Sequence, residues 1–422
     1  MTIYHLSCRG ISPLSPLSID FGTRLNLFTG DNGLGKSLIL DLVFWQLSNN
    51  WPNEYPLLYN ELPADVNSTV MSETGRRIKQ GHSFDSDFQF WKRANLGRPP
   101  RTALIIFARS NGNFTVWDPA RNYYRRSPED PESESPRMYN FGHNQVWTGI
   151  EDPLSKRWLC NGLIRDWVLW QKEQNPNFET LCKVLRSLSP SDQETLEPGT
   201  PKKILVDDDQ LYPTLKTPQG DVPIVLASEA IRRISALAYL LVWTWTNHAV
   251  AAERRKWNPT QRIVILFDEL EAHLHPRWQR RIIPALMEAV SDISLRAKVQ
   301  LIGVTHAPLL VSSLENLFNQ DKDKLFVIES VDKCVQTKNI NFIKKGDANA
   351  WFTSNSFSLP STLPFEAEQA VFEAKKWLDD PNRDVNKYKE IGVGLANTLA
   401  EAHPFWSIWK FQLESLGLEI ER

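Results

Sequence analysis

A glycine-rich loop between a strand and a helix is the feature that most constrains what this chain can fold into. The loop satisfies the pattern GxxxxGK[ST], and its residues are Gly30, Asp31, Asn32, Gly33, Leu34, Gly35, Lys36 and Ser37. Glycines let backbone N–H groups approach a phosphate chain closely, the lysine brings a compact positive charge, and the serine hydroxyl suits Mg²⁺. The loop is therefore predicted to bind the β- and γ-phosphates of a nucleotide.

The residues around the loop favour this interpretation. Arg24 to Gly30 (RLNLFTG) reads as a strand that enters the loop, and Leu38, Leu42 and Trp45 follow at helical spacing. The alternative is a chance glycine turn before a helix. Strand, loop and helix in this order favour the phosphate-binding interpretation.

A second motif, RIVILFDE, places two acids after an apolar run. Ile263 to Phe267 suits a buried parallel strand, whose carboxyl end is where such sheets place their ligands. Asp268 is predicted to hold Mg²⁺, either directly or through one of the ion's other ligands, and Glu269 to polarise a water for attack on the γ-phosphate. The alternative is a helix N-cap followed by a first-turn acid.

A third apolar strand ends in Thr305 and His306 (VQLIGVTHAP). An imidazole at a strand end can donate a hydrogen bond to a γ-phosphate oxygen, although a lone histidine is more often structural. The presence of the other two motifs favours the phosphate contact. His273 and His275 are two residues apart, which would place them on different helix faces, so the sequence does not predict that they chelate a metal.

Composition divides the chain into four blocks and limits its partners. The 422 residues carry a net charge of −2, so any contact with nucleic acid must be local. The blocks are residues 1–50, 51–222, 223–345 and 346–422. The second holds more than half of the 27 prolines and is predicted to be irregular rather than a coiled-coil arm. Within it we expect strands at 102–108 and 113–118 and a helix at 163–172; the last block is predicted to be helical.

Three further observations indicate a cytosolic protein. The four cysteines, which lie far apart, fit a reducing compartment and form no zinc-binding pair: Cys8, Cys160, Cys182 and Cys334. The apolar run Ile234 to Trp245 is too short to span a membrane and is predicted to be a core helix. No secretory signal is read at the N-terminus.

Together these motifs resemble the ABC-type ATPases of the chromosome-maintenance and recombination class. More closely, the chain resembles the stand-alone bacterial AAA-family ATP-binding proteins found beside nucleases in phage-defence operons. The resemblance covers residues 1–50 and 223–345. It implies an α/β P-loop NTPase fold: an ABC-type head with a mixed sheet and flanking helices, a Trp/Pro-rich insertion that partly completes the head, and a small helical C-terminal region.

The resemblance also implies roles for individual residues. Gly30 to Ser37 would bind ATP, Asp268 with Ser37 would bind Mg²⁺, Glu269 would be the general base, and His306 the switch histidine. Glu271 to Pro276 would line an interface between two copies of the chain.

In relatives a signature segment reaches the ATP of a partner subunit. The candidate here is Leu226 to Arg233, with Ser228 as its hydroxyl. Ala230 stands where a glycine is usual, and Glu229 adds a negative charge that Arg232 would offset. These departures from the signature pattern put activation across the dimer and fast turnover in doubt. A glutamine-loop residue is also expected, and both Gln89 and Gln145 remain candidates.

Three functions fit these expectations. The favoured one is an ATP-driven switch, working as a head-to-tail dimer or higher oligomer, that controls a nuclease on another chain in antiphage defence. The alternatives are a DNA-repair ATPase that clamps DNA and the nucleotide-binding subunit of a transporter. An intrinsic nuclease is not indicated, because Asp321 and Asp323 precede a strand and Glu329, which ends it, has no matching acidic strand.

Overall fold

The structure is a computed structural model that describes residues 2–14, 16–55, 57, 59, 61–93, 101–123, 137–153, 155–331, 334–357, 359 and 361–418. The chain separates into two compact units. The first comprises Met1–Trp351 with Asn355–Phe357, and the second comprises Phe352–Ser354 with Ser358–Arg422.

The described residues form seventeen β-strands: β1 (Ile3–Arg9), β2 (Leu17–Asp20), β3 (Leu25–Gly30), β4 (Asp65–Met71), β5 (Arg77–Asp85), β6 (Phe90–Arg93), β7 (Leu104–Ala108), β8 (Phe114–Trp117), β9 (Tyr139–Phe141), β10 (Ile150–Glu151), β11 (Trp158–Cys160), β12 (Thr214–Thr217), β13 (Gly220–Pro223), β14 (Arg262–Asp268), β15 (Lys298–Val304), β16 (Lys324–Val331) and β17 (Cys334–Ile340).

They also form thirteen α-helices: α1 (Lys36–Ser48), α2 (Pro119–Asn122), α3 (Gln145–Thr148), α4 (Leu163–Lys172), α5 (Pro176–Ser187), α6 (Glu229–Arg254), α7 (Pro276–Gln279), α8 (Ile282–Ile293), α9 (Pro308–Ser312), α10 (Ala348–Phe352), α11 (Phe365–Asp379), α12 (Tyr388–Thr398) and α13 (Phe405–Ser415).

An eight-stranded mixed sheet, in the order β17-β16-β3-β15-β14-β7-β8-β9, is the centre of the first unit. Its five middle strands, from β16 to β7, are parallel. Alternate residues of β14 enter different cores: Ile265 and Phe267 pack on one side, and Val264 and Leu266 on the other. Both faces of the sheet are therefore covered, as the apolar run of β14 predicts. The predicted α/β fold with a mixed sheet is confirmed.

A second, antiparallel sheet has the order β2-β1-β4-β5-β6. It contributes to the core on the α1 side of the central sheet, where Ile3 and Val66 lie with Leu42. The expectation that residues 51–222 are irregular is wrong, because this block contains strands β4 to β13 and helices α2 to α5. The prolines lie where regular structure tolerates them: Pro119 and Pro176, for example, occupy the first turns of α2 and α5.

The elements expected inside this block are present. The two anticipated strands correspond to β7 and β8, and the anticipated helix coincides with α4, whose Trp167 is fully buried. The apolar run from Ile234 lies within the 26-residue helix α6. Among the described residues, no helix is long and apolar enough to cross a membrane. All four cysteines are free.

The second unit has a small core of its own. Helices α11, α12 and α13 contribute Trp377, Leu395 and Trp409 to it, together with Ala374 and Leu413. The predicted helical character of the C-terminal region is therefore confirmed.

Candidate nucleotide-binding site

The glycine-rich loop joins β3 to α1, as the sequence predicts. Gly30 has φ 133°, and a Cβ placed on it would lie 2.2 Å from the carbonyl oxygen of Ile328 on the neighbouring strand, so only glycine fits there. Gly33 and Gly35 have φ values of 80° and 83°, in the left-handed region that favours glycine. The loop glycines therefore fix a backbone path that other residues would strain.

Lys36 is held inside this loop. Its Nζ donates to the carbonyl oxygen of Gly30 at 2.8 Å and to that of Asp31. Burial lowers the pKa of Lys36, and the nearby charges of Glu269, Asp31 and Asp268 act in the opposite direction. The lysine of the first motif thus shares one electrostatic environment with both acids of the second.

Asp268 and Glu269 lie at the carboxyl end of β14. Asp268 is only 7% exposed, and within the described part of the chain its Oδ1 has no hydrogen-bond partner. Glu269 has φ 49°, an uncommon left-handed conformation for a residue with a side chain, and its backbone N–H donates to the carbonyl of Val304 at 3.1 Å. Its carboxylate remains partly exposed, as a group that activates water must be.

His306 faces Glu269 from the end of the adjacent strand β15. Its Nε2 lies 3.6 Å from Glu269 Oε1. Burial, followed by the charge of Lys36, lowers the pKa of His306, while Glu269 raises it. His306 and Glu269 are therefore brought together beside Lys36, as the three motifs predict.

Glu271 holds the backbone of this histidine in place and was not predicted from the sequence as an individual site residue. Its Oε1 accepts hydrogen bonds from Thr305 Oγ1 at 2.6 Å and from the backbone N–H of His306 at 2.9 Å. Burial raises the pKa of Glu271, and the hydrogen bond from Thr305 lowers it. The sequence signal that could have indicated this role is the third acid of the segment DELE, Glu271, which is buried in the structure.

Ser228 begins helix α6. Its Oγ accepts a long hydrogen bond, 3.4 Å, from the backbone N–H of Ile231, so the serine acts as an N-cap. Arg232 forms an ion pair with Glu229, which is the offset expected from the sequence. These contacts keep Ser228 within its own helix and do not join it to Lys36 or Glu269.

An ion pair near the phosphate loop, between Arg109 and the buried Asp41, was not predicted. Arg109 follows β7 directly. Because Ala108 of β7 pairs with Phe267 of β14 in parallel register, Arg109 lies beside Asp268 at the carboxyl ends of these two strands. Its Nη2 lies 3.5 Å from Oδ1 of Asp41, a buried acid of α1. Burial raises the pKa of Asp41 to about 6, and Arg109 opposes that rise. A strand was predicted at 102–108, but its position next to β14 was not.

The two glutamine candidates lie elsewhere. Gln89 is in the turn between β5 and β6, where its Nε2 donates to the carbonyl of Ser86. Gln145 begins α3, and its Oε1 accepts from the backbone N–H of Gly142. Arg109, rather than either glutamine, occupies the end of the strand beside β14.

The prediction that the two histidines after Glu271 lie on different faces of one helix is wrong, because they do not share a helix. His273 is in a turn with φ 65°, and His275 is the N-cap of α7, where its side chain accepts from the backbone N–H of Arg277. Over the residues that the structure describes, no group of three or more His, Cys, Asp or Glu side chains is arranged to hold a metal ion.

The residues present fit Mg²⁺ as part of a nucleotide complex. A hydroxyl and a carboxylate are hard oxygen donors of the kind Mg²⁺ prefers, and the ion is usually held by one or two protein groups with phosphates and water. Ser37 is exposed in the first turn of α1, and the buried Oδ1 of Asp268 lacks a hydrogen-bond partner among the described residues. Such an oxygen is costly to bury unless a ligand satisfies it.

Comparison with known proteins adds a family to this geometry. Residues 25–312 match the family described as "AAA domain, putative AbiEii toxin, Type IV TA system". The chain is 21% identical to the Septu protein PtuA of Bacillus thuringiensis over the whole of both chains. It is 26% identical to the Septu protein PtuA of Bacillus mycoides (strain KBAB4), covering 80% of this chain and 41% of that protein.

Among solved structures, the SMC head domain from Thermotoga maritima matches with 14% identity and a TM-score of 0.40. That match covers 81% of this chain and all of the other.

Proposed function

Because the chain belongs to the AAA-domain family of AbiEii type, we propose that it binds and hydrolyses ATP as an ABC-type switch in antiphage defence. The full-length similarity to a Septu protein supports the defence role. The observation that carries the ATPase proposal is the convergence of three strand ends. Lys36, Glu269 and His306 share one electrostatic environment there, with 3.6 Å between His306 Nε2 and Glu269 Oε1.

In this proposal the phosphate loop binds the nucleotide. The backbone N–H groups of the loop and of the first turn of α1 point toward the phosphates, and Lys36 exchanges its carbonyl partners for phosphate oxygens. Ser37 and Asp268 hold Mg²⁺, which when bound neutralises phosphate charge. These residues orient the terminal phosphate toward the carboxyl ends of the central strands, where Glu269 lies.

Glu269 then acts as the general base. Its partly exposed carboxylate can accept a proton from a water, while His306 is positioned to donate a hydrogen bond to the terminal phosphate. Glu271 fixes the backbone of His306 and therefore the direction of the imidazole. Glu269 has a left-handed backbone conformation, and its N–H donates to the carbonyl of Val304 on β15.

The site is completed by a second copy of the chain. Ser228 is bound only to its own helix within the described contacts, which suits a residue that reaches nucleotide held by a partner. Two copies in head-to-tail arrangement would place each Ser228 on the other copy's ATP. Ala230 in place of a glycine is consistent with slow turnover that depends on the partner effector.

The effector is proposed to be a nuclease on another chain, controlled by the ATP-bound dimer. The test of the enzymatic part is phosphate release by the purified full chain with ATP and Mg²⁺, which EDTA should abolish. Failure to bind ATP would overturn the proposal. The test of the switch is co-purification of the neighbouring gene product in ATP and in ADP; equal recovery in both would overturn control by nucleotide state.

A further inference from the structure

Three tryptophans from three segments meet at the C-terminal end of α1. Trp45 belongs to the helix, Trp51 to the loop that follows it, and Trp91 to β6. The rings of Trp51 and Trp91 each stand nearly perpendicular to that of Trp45, at 82° and 83°, with centroids 5.6 Å away. They line a cavity of about 370 Å³, here called the tryptophan pocket, together with His82, Asn49, Leu57 and Arg93.

The pocket walls are fixed by hydrogen bonds to the protein itself. Trp51 Nε1 donates to the carbonyl of Tyr55 at 2.7 Å, and Trp91 Nε1 donates to that of Leu57 at 3.1 Å. His82 stacks on Trp45 at 4.1 Å, and its Nε2 lies 2.8 Å from Asn49 Oδ1. Because these polar groups already have partners, a ligand in the pocket would be held chiefly by ring faces.

The charge of the lining selects among ligands that bind aromatic rings. A cation would suit an aromatic box, but it would lie beside the guanidinium of Arg93, and no Asp or Glu lines the described part of the pocket. An uncharged planar ring with a negative group attached suits both the aromatic walls of the pocket and the guanidinium of Arg93. A nucleobase with its phosphate is a ligand of this kind, because every base has a π-face and every linkage an anion.

The hairpin of β5 and β6 extends these features beyond the pocket. Phe84 contacts Trp91 at 5.4 Å and Tyr59 at 4.1 Å, and Phe88 and Phe90 at the hairpin tip are 76% and 49% exposed. Residues 77–93 carry four Lys or Arg and two Asp, a charge of +2 in a chain whose net charge is −2. Aromatic rings interleaved with cations are typical of surfaces that bind single strands.

We propose that the tryptophan pocket binds a base of single-stranded nucleic acid, and that the β5–β6 hairpin carries the adjoining nucleotides. The proposal goes beyond ATP hydrolysis and names the class of ligand that the chain would sense. Trp45 and Asn49 belong to, or directly end, the helix whose first residues are Lys36 and Ser37. The ligand would therefore contact the same helix as the phosphate loop, from its opposite end.

The test measures binding by the full chain without nucleotide, so its outcome does not depend on ATP hydrolysis. Fluorescein-labelled dT and rU 12-mers and a duplex of mixed sequence are titrated by anisotropy, and quenching of intrinsic tryptophan fluorescence is recorded in parallel. We expect the single strands to bind and to quench, and the duplex to bind more weakly. Absence of binding by both single strands, or preference for the duplex, would overturn the proposal.

Variants locate the site. Trp91→Ala and Trp51→Ala should each weaken binding about fivefold or more, the effect of losing a stacked base. Trp158→Ala is the matched control, because Trp158 is 48% exposed but lies on β11. Arg93→Gln should reduce the slope of log affinity against log salt by about 0.7. Trp51→Phe preserves an apolar ring if the alanine variants fail to fold, and wild-type affinity in every folded pocket variant would contradict the assignment.

Discussion

Arg109, which is partly buried, forms an ion pair with the buried Asp41 close to the phosphate loop, with 3.5 Å between Arg109 Nη2 and Asp41 Oδ1. Asp41 lies one helical turn after Ser37, and Arg109 stands in sheet register beside Asp268. Arg109 Nη1 also donates to Asn53 Oδ1 at 2.9 Å. The pair therefore joins α1, which carries Ser37, to the end of β7, the strand that lies beside Asp268 on β14.

Replacing Arg109 with methionine is expected to destabilise the chain by about 3 kcal/mol. The change keeps an apolar stem but leaves the buried carboxylate of Asp41 without its cation, which is the costly way to break a buried pair. Urea unfolding at pH 7 measures the effect. Arg281→Met is the control, because Asp192, its partner, is 89% exposed and such a pair contributes about 1 kcal/mol or less. Equal losses in the two variants would show that burial of the Arg109 pair has no energetic consequence.

Replacing Lys36 with alanine is expected to weaken ATP binding by about tenfold or more, which corresponds to about 1.4 kcal/mol. The change removes the charge placed inside the phosphate loop, where Lys36 Nζ now contacts the carbonyl of Gly30. Isothermal calorimetry with ATP measures the affinity. Lys338→Ala, at an exposed ion pair on β17, is the control and should bind normally. Undiminished binding by a folded Lys36 variant would contradict the assignment of the loop.

Replacing Glu269 with glutamine is expected to preserve ATP binding while slowing hydrolysis by about 10² or more. Glutamine keeps the shape of the side chain and a hydrogen-bonding oxygen but cannot accept the proton from water. Phosphate release at saturating ATP measures the change, and calorimetry confirms that the nucleotide still binds. Turnover at the parental rate would mean that Glu269 only completes the turn after β14.

The strand ends that carry the site could be predicted because each motif is local. The apolar run before Asp268 and the one before His306 each contain their own evidence for a buried strand. The neighbours of those strands could not be predicted in the same way, because strand order depends on pairing between distant segments. Arg109 shows the consequence: its strand was anticipated, but its place beside Asp268 follows only from the pairing of β7 with β14.

The antiparallel sheet shows a second limit of sequence reasoning. Its strands β4 to β6 lie in a proline-rich block, and a high proline content predicts irregular structure only if the prolines interrupt the strands. The burial of His82 could not be predicted either, because it depends on how β5 packs against another segment of the chain. His82 becomes buried only when β5 is placed against α1, where its ring stacks on Trp45.

Acid is expected to destabilise the chain through His82. Burial, with a smaller contribution from Arg93, lowers the pKa of His82 from 6.5 to about 4. The folded chain therefore binds fewer protons than the unfolded chain, and stability present above about pH 6.5 is lost as the pH falls toward 4. The loss attributable to this residue is at most about 3 kcal/mol.

Urea unfolding at pH 7 and pH 4.5 tests this effect, with His82→Gln as the comparison. The stability difference between wild type and variant should shrink at pH 4.5, because glutamine cannot be protonated. Asp41, whose pKa is raised to about 6, acts in the opposite direction but is present in both chains and cancels in the difference. A difference that does not change with pH would show that His82 is not buried in its neutral form.

Mixing two inactive variants is expected to restore hydrolysis if Ser228 acts on the partner's ATP. Lys36→Ala damages the site in which it resides, whereas Ser228→Arg would damage the site on the other copy. A mixed dimer would therefore place both lesions in one site and leave the second intact, so up to about half of the dimers in an equal mixture would carry one active site. Hydrolysis by the parent chain should also rise more steeply than linearly with protein concentration, since two half-sites must meet.

The mixing experiment needs a control for stability, because Ser228 also caps its own helix. Ser228 caps its own helix through Ile231, so Ser228→Arg also removes an N-cap, at a cost of about 1 kcal/mol. Ser228→Asn, which retains the cap, separates loss of stability from loss of the contact in trans, because asparagine should preserve folding and arginine alone should block the partner's site. No recovery on mixing folded variants, together with linear dependence on protein concentration and a monomeric mass in ATP, would mean that each chain hydrolyses ATP by itself.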